Sequence, residues 1–240
     1  MQLMTVLVDY DNLEKALRKP GGLVDFCNKL VSCISSAVGI QSQRIRFRLY
    51  GGWYDGSYFT RHAQRLTAEV QATFPATVRW SNQNVSGNCL VSVEMAYSLE
   101  VEPARHLFHT LRTRSFGALI QCDPAAYASC VEPSCPVKHV VDFLAKQKCT
   151  IQSCNVSQAD LLRKTEQKLV DTMLTSDLLF FATLGQRELI VVSSDDDLWP
   201  GIRTALGIGA SVTLVHTRPT RTLPGEYTRG LPMSFKQLAL

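Results

Sequence analysis

Two short stretches of this 240-residue chain crowd carboxylates against apolar runs. "VLVDYDN" (6–12) ends a β-branched run in Asp9 and adds Asp11 and Asn12. "VVSSDDDLWPGI" (191–202) sets Asp195, Asp196 and Asp197 between a β-like run and a helix-like one. Like charges this close repel one another, and two readings of the second cluster stand. Asp195 caps the following helix, because a carboxylate accepts the free N–H groups of a first turn and sits well at the positive end of the macrodipole. Alternatively, the two clusters face one crevice and hold a cation between them. Oxygen-only donors favour Mg²⁺ or Mn²⁺. A third source of acid is "QKLVDTMLTSDLL" (167–179), which carries Asp171 and Asp177. Six residues turn a helix through about 600°, leaving the pair about 120° apart, so at most one is a direct ligand. Asp171, nearer the helix start, is the better placed. Asp177 then hydrogen-bonds behind it or caps something local.

The surrounding elements favour the crevice. "LMTVLVD" (3–9), "RIRFRLY" (44–50), "ELIVVSS" (188–194) and "SVTLVHT" (211–217) read as buried strands, with "FGALIQC" (116–122) as a further candidate. "LVDFCNKLVSCISSAVG" between the first two has helical spacing, and such alternation implies right-handed βαβ crossovers and a mostly parallel sheet. In open α/β sheets ligands sit beyond the carboxyl ends of strands, where both acidic clusters lie. Residues 158–185 read as a long helix or a helix pair closed by Gly185. Residues 217–240, with three prolines and three arginines, read as an extended tail.

In this order the motifs resemble those of the NYN family, the PIN-like metal-dependent ribonucleases. Asp9 and Asn12 match its Asp-x-x-Asn; Lys168, Asp171 and Asp177 match its Lys-x-Val-Asp with a second Asp six residues on. Ser193, Asp195 and Asp197 match its Ser-x-Asp-x-Asp. Leu169 stands where the family often has Gly, and Leu198 where it often has Phe, but no carboxylate is lost. The resemblance spans nearly the whole chain. It implies a single domain over 1–240, a three-layer α/β/α sandwich with a mostly parallel central sheet, and a divalent-metal-dependent endoribonuclease acting on phosphodiester bonds. Asp9, Asp171, Asp195 and Asp197 would hold Mg²⁺ or Mn²⁺, Asn12 would orient a water or phosphate, and Lys168 would balance phosphate charge. Asp196 would point away or cap the helix.

Two other readings use the same letters. "VLVDYDN" also resembles the opening motif of haloacid-dehalogenase-like phosphatases, with Asp9 as nucleophile and Asp11 as general acid/base. Leu13 departs from that pattern, and the Asp171 helix is left without a role. The third reading is an NYN-like module that binds RNA or a protein without cutting.

Arg44, Arg46 and Arg48 alternate with apolar residues and so share one face of a strand, followed by Trp53, Tyr54 and Tyr58 beside Arg61, His62 and Arg65. Cations that meet phosphates and rings that stack bases are what single-stranded RNA recognition uses. That makes Arg44, Arg46, Arg48, Trp53, Tyr54, Arg61 and Lys168 candidate substrate contacts, with RNA favoured and DNA the alternative. The contrary reading packs Trp53 and Tyr54 onto the core and leaves the arginines as surface.

Of eight cysteines, Cys130-x4-Cys135 and Cys149-x4-Cys154 fall in a stretch, 122–155, that sustains neither period. Four thiolates suit structural zinc, Zn²⁺, in a small cysteine-rich insertion, with Cys122 and His139 as substitute ligands. Free thiols and a disulfide are the alternatives.

A net charge of +4 permits an anionic partner without demanding one. No apolar run approaches the roughly 18 residues of a membrane span, so the expectation is a cytoplasmic protein without a membrane partner. The oligomeric state is left open.

Overall fold

A computed structural model describes residues 3–38, 44–82, 85–115, 135–186, 188–218 and 225–240. The chain forms two compact units, one of residues 1–111 with 167–240 and one of residues 112–166. In chain order the elements are β1 (Leu3–Asp9), α1 (Gly22–Val38), β2 (Arg44–Tyr50), β3 (Tyr54–Asp55), β4 (Tyr58–Phe59), α2 (Arg61–Thr73), β5 (Ala76–Asn82) and β6 (Val85–Met95). Then follow β7 (Leu111–Ser115), α3 (Pro136–Lys146), α4 (Gln158–Leu161), β8 (Arg163–Gln167) and α5 (Val170–Thr183). The last are β9 (Glu188–Val192), α6 (Trp199–Ile208), β10 (Ser211–His216), α7 (Gly225–Thr228) and β11 (Phe235–Ala239).

The first unit is a mixed α/β body around a seven-stranded sheet of order β11-β10-β9-β1-β2-β6-β5. Every neighbouring pair is parallel except β5 with β6. β1 is buried from Met4 onward because parallel strands are covered on both faces, which its unbroken apolar run reflects. Val6 and Val8 turn to one face and pack with Phe26, Leu30 and Ile34 of α1 and Leu66 of α2. Leu7 turns to the other and packs with Leu174 and Leu178 of α5 and Ile202 and Ala205 of α6. A Cβ on Gly201 would lie 2.5 Å from Thr175 Cγ2, so glycine there lets α6 close onto α5.

The α5 face also holds a buried ionic network. Leu7 pairs with Arg48 and Asp9 with Tyr50, so β2 turns Arg48 and Tyr50 under α5. Arg48, 6% exposed, donates from Nε to Asp177 at 2.9 Å, from Nη1 to Glu94 at 2.8 Å, and from Nη2 to Ser98 O. Its Nη1 also lies 2.9 Å from Glu100. Asp177 accepts further bonds from Tyr50 Oη at 2.7 Å and from Glu100 N–H at 2.8 Å. Arg46 pairs with Glu100 at 3.3 Å and lies over the Phe181 ring.

The four strands expected at 3–9, 44–50, 188–194 and 211–217 form within two residues of those bounds. The candidate strand at 116–122 lies outside the described residues. Three features were not expected. The β5–β6 hairpin was not foreseen, although both runs are β-rich and only two residues separate them. Residues 158–185, read as a long helix or a helix pair, form two helices with the unexpected strand β8 between them: the capping box of Ser157 and Asp160 starts a single turn, "RKTEQ" follows as a strand, and α5 comes after it. The tail read over 217–240 contains β11, which pairs in parallel with β10 from Val212↔Phe235 to His216↔Ala239 and closes the sheet.

The second unit contains the 122–155 stretch and extends beyond it at both ends. Cys135 is the N-cap of α3 and Pro136 opens it. Cys149 N–H bonds Val156 O at 3.0 Å and Cys154 N–H bonds Ile151 O at 2.9 Å, so residues 149–156 fold back as a tight loop. Val137, Val140, Ile151, Val156 and Leu161 are exposed, and α3 has no buried residue. Among the described residues no helix is long and apolar enough to cross a membrane.

Candidate metal centre

β1 and β9 are neighbours, paired from Thr5↔Leu189 to Val8↔Val192, so both acidic clusters leave the sheet on the same edge. Successive connections run from β1 toward β2 on one side and from β9 toward β10 on the other. Their junction is the point where strand order reverses, and a crevice opens there.

Asp9 closes β1 and is 2% exposed. Its Oδ2 accepts from Asn12 Nδ2 at 2.6 Å and from Ser193 Oγ at 2.8 Å, while among the described residues Oδ1 receives no hydrogen bond. Ser193 Oγ in turn accepts from Asp195 N–H at 3.0 Å, so one hydroxyl ties the end of β9 to the end of β1. Thr217 Oγ1 donates to Asn12 O at 3.0 Å, and Ser194 Oγ accepts from Thr217 N–H at 3.0 Å and Arg218 N–H at 3.1 Å. The turn after β1 is thereby fixed to the end of β10 as well.

Burial pushes the Asp9 carboxyl up from its ordinary 3.8 to about 6; the bonds from Asn12 and Ser193 oppose the rise, and the charges of Asp171 and Asp11 add to it. Asp171, in the first turn of α5, is also raised, first by burial and then by the charges of Asp195 and Asp197. Asp9, Asp171, Asp195 and Asp197 therefore share one electrostatic neighbourhood. Asp177 belongs to the Arg48 network instead, in keeping with the angular separation along the helix.

The cap after β9 is made by Asp195, whose Oδ1 accepts Asp197 N–H at 3.0 Å, and not by Asp196. Capping and ligation are compatible, since one carboxylate oxygen serves the turn and the other remains available. Leu169, the residue before α5, takes φ = +69°, a left-handed conformation that costs a non-glycine residue roughly 1–2 kcal/mol. Leu169→Gly is accordingly expected to keep or raise stability, and Leu169→Val to lower it by about 1 kcal/mol or more, as chemical denaturation would show.

An all-carboxylate donor set under mutual repulsion suits a hard divalent cation. In the conformation described, no three His, Cys, Asp or Glu side chains among the described residues stand close enough to hold one. The acids are grouped by charge and by strand end, and gathering onto an ion needs side-chain movement.

The expected substrate contacts divide. Trp53, 0% exposed, donates Nε1–H to Leu49 O and packs with Tyr10; Tyr54 is equally enclosed. These rings are core and offer no face for stacking a base, because the chain after β2 turns back under α2. Arg48 is likewise spent inside the fold, whereas Arg44 and Arg61 are exposed and Lys168 is half-buried. The exposed rings nearby are Tyr58, Phe59 and Phe108.

Sequence reasoning missed a cleft of about 360 Å³ lined by Asp11, Lys15, Arg18, His62, Arg65 and Gln167, among others. The signal was the basic run just after the first acidic motif, "EKALRK". In the second unit Cys135, Cys149 and Cys154 form no disulfide among the described residues, and Cys130 and Cys122 lie outside those residues. No family model, curated protein or solved structure matches the chain.

Proposed function

We propose that the chain is a divalent-metal-dependent nuclease of NYN-like type that hydrolyses phosphodiester bonds, with single-stranded RNA as the favoured substrate, and that it works in the cytoplasm. The supporting observation is that Asp9 and the Asp195–Asp197 turn end neighbouring strands at the β1/β9 switch point, with the Asp9 carboxyl raised partly by the charge of Asp171 and the Asp171 carboxyl partly by those of Asp195 and Asp197. Bound there, Mg²⁺ or Mn²⁺ supplies Lewis acidity and lowers the pKa of a coordinated water. Among the described residues, Asp9 and Asp195 each keep an oxygen without a protein donor to offer as ligand. Asp171 and Asp197 bring charge from α5 and from the turn after β9. Asn12 and Ser193 hold the Asp9 carboxylate in orientation, and Asn12 does so without adding charge. Lys168, next to α5, balances phosphate charge.

A haloacid-dehalogenase-like phosphatase is less well supported. Asp11, its general acid/base, is engaged on both oxygens, by Gly52 N–H at 2.8 Å and by Arg18 at 3.5 Å. The non-cleaving module shares the fold but leaves the clustered acids unexplained. Incubating purified protein with end-labelled RNA and DNA, with Mn²⁺ or with chelator, tests the proposal. RNA is expected to be cut only with metal, and Asp195→Asn is expected to lose at least about a hundredfold in rate. Release of phosphate from small phosphomonoesters with RNA intact would favour the phosphatase.

The same reading puts structural zinc in the second unit. Its described part buries little apolar surface, while fixing a backbone costs roughly 1–2 kcal/mol per residue, and a zinc site supplies on the order of 10 kcal/mol. Cys135, Cys149 and Cys154, with Cys130, are the ligands proposed. Elemental analysis of protein purified without added metal should find about one zinc per chain, lost in Cys149→Ser with Cys154→Ser. Protein without zinc whose 112–166 unit still resists protease would refute this assignment.

A further inference from the structure

Beside the acidic centre on the same sheet edge, Asp11 follows β1 and Gly52 follows β2, and both line the 360 Å³ cleft. Neighbouring strands are about 5 Å apart, so this cleft beyond β1/β2 adjoins the crevice beyond β1/β9. Its lining includes Lys15, Arg18 and Arg65 against one carboxylate, Asp11, leaving two net positive charges. Glu69 does not line the cleft, although its charge reaches His62; its Oε1 accepts from Gly21 N–H at 3.1 Å and Leu23 N–H at 3.4 Å, which turns the carboxylate toward the start of α1 without neutralising it.

The donors in this cleft are incompletely used. Arg65 Nη2 donates to His62 Nδ1 at 3.0 Å, which puts the imidazole proton on Nε2. His62 Nε2 and Arg18 Nε are both closed to solvent, and neither has an acceptor among the described residues. Buried donors left without acceptors are costly, and the cost falls when an oxyanion enters and the side chains turn to it. Charge narrows the choice of oxyanion. A phosphate monoester carries about −1.5 to −2 near pH 7, close to the cleft's net charge, whereas an internal phosphodiester carries about −1.

We propose that this cleft binds a phosphate monoester, the terminal phosphate of a nucleic-acid strand, through Lys15, Arg18, Arg65 and His62. This deepens the nuclease reading and rests on it for the identity of the strand. The cleft would then seat a strand end while the adjoining chain crosses the acidic centre, and cleavage would favour strands with a terminal phosphate.

The test needs neither metal nor turnover. Fluorescence anisotropy in chelator would compare short single strands bearing a 5′-phosphate, a 3′-phosphate or hydroxyls at both ends. One phosphorylated strand is expected to bind roughly tenfold tighter or more, since charge-assisted bonds are the strong ones. Arg18→Gln with Arg65→Gln should erase the difference, and Asp195→Asn should keep it. Equal affinity for all three strands would overturn the proposal, as would a preference that survives the double substitution. Inorganic phosphate or a mononucleotide displacing the strand at the strand's own affinity would assign the cleft to free phosphate compounds and overturn the strand-end reading. Because no cleavage is read, loss of the preference and loss of nuclease activity are separate outcomes.

Discussion

Replacing Asp9 with Asn is expected to stabilise the metal-free protein by roughly 3 kcal/mol at neutral pH, since each pKa unit corresponds to about 1.4 kcal/mol. Asp9 has its pKa raised from 3.8 to about 6 in the folded state, chiefly by burial. The folded protein therefore holds this proton more tightly than the unfolded chain does. The contribution of Asp9 to stability is fully present below about pH 4 and is lost as pH rises through about 6. Asparagine keeps an oxygen to accept from Asn12 and Ser193 but never ionises. Urea unfolding in chelator should show little difference between the two proteins near pH 4 and a difference that grows to a plateau above pH 6. Saturating Mn²⁺ should narrow the gap, by about 1.4 kcal/mol for each tenfold by which the variant binds the ion more weakly. A variant less stable than wild type in chelator at pH 7.5 would contradict this picture of a strained, ion-ready carboxylate.

Asp177→Ala is expected to cost about 3–5 kcal/mol, because removing one partner leaves buried charge unanswered. Asp177 is 1% exposed and answers Arg48, Tyr50 and the Glu100 N–H together. Burial and then the Asp177 charge hold the Tyr50 phenol well above its ordinary pKa, so Tyr50 stays a neutral donor to that carboxylate. The same helix carries Asp171 about one and two-thirds turns earlier, so this network also fixes where Asp171 presents its charge. Adding Arg48→Met to Asp177→Ala should recover part of the loss, since Glu94 and Glu100 are less buried and can hydrate. A cost under about 1 kcal/mol for Asp177→Ala would show that packing alone holds α5.

Periodicity made β1, β2, β9 and β10 legible, and with them the strand ends where Asp9 and Asp195 lie, but not β6 or β11, the other two strands with parallel partners. The 120° offset between Asp171 and Asp177 separated a residue facing the acids from one facing the interior. What the sequence concealed was depth. Arg44, Arg46 and Arg48 alternate as an exposed strand face would, yet Asp177, Glu94 and Glu100 come from distant segments and neutralise Arg48 inside the fold. Trp53 and Tyr54 sit among glycines and polar residues, a local composition typical of surface loops, but the backbone after β2 turns them inward. The cationic cleft was hidden for a similar reason: Lys15 and Arg18 lie more than forty positions from His62 and Arg65, and only the fold brings them together.

The most direct measurement is a calorimetric titration of Mn²⁺ into wild-type protein and into the Asp9→Asn and Asp195→Asn variants at pH 7.5, after chelator has been removed. Saturable binding to the wild type, weakened at least about tenfold in each variant, is the expected result. An absence of binding, or binding equal in all three proteins, would contradict the assignment of the β1/β9 crevice as a divalent-ion site.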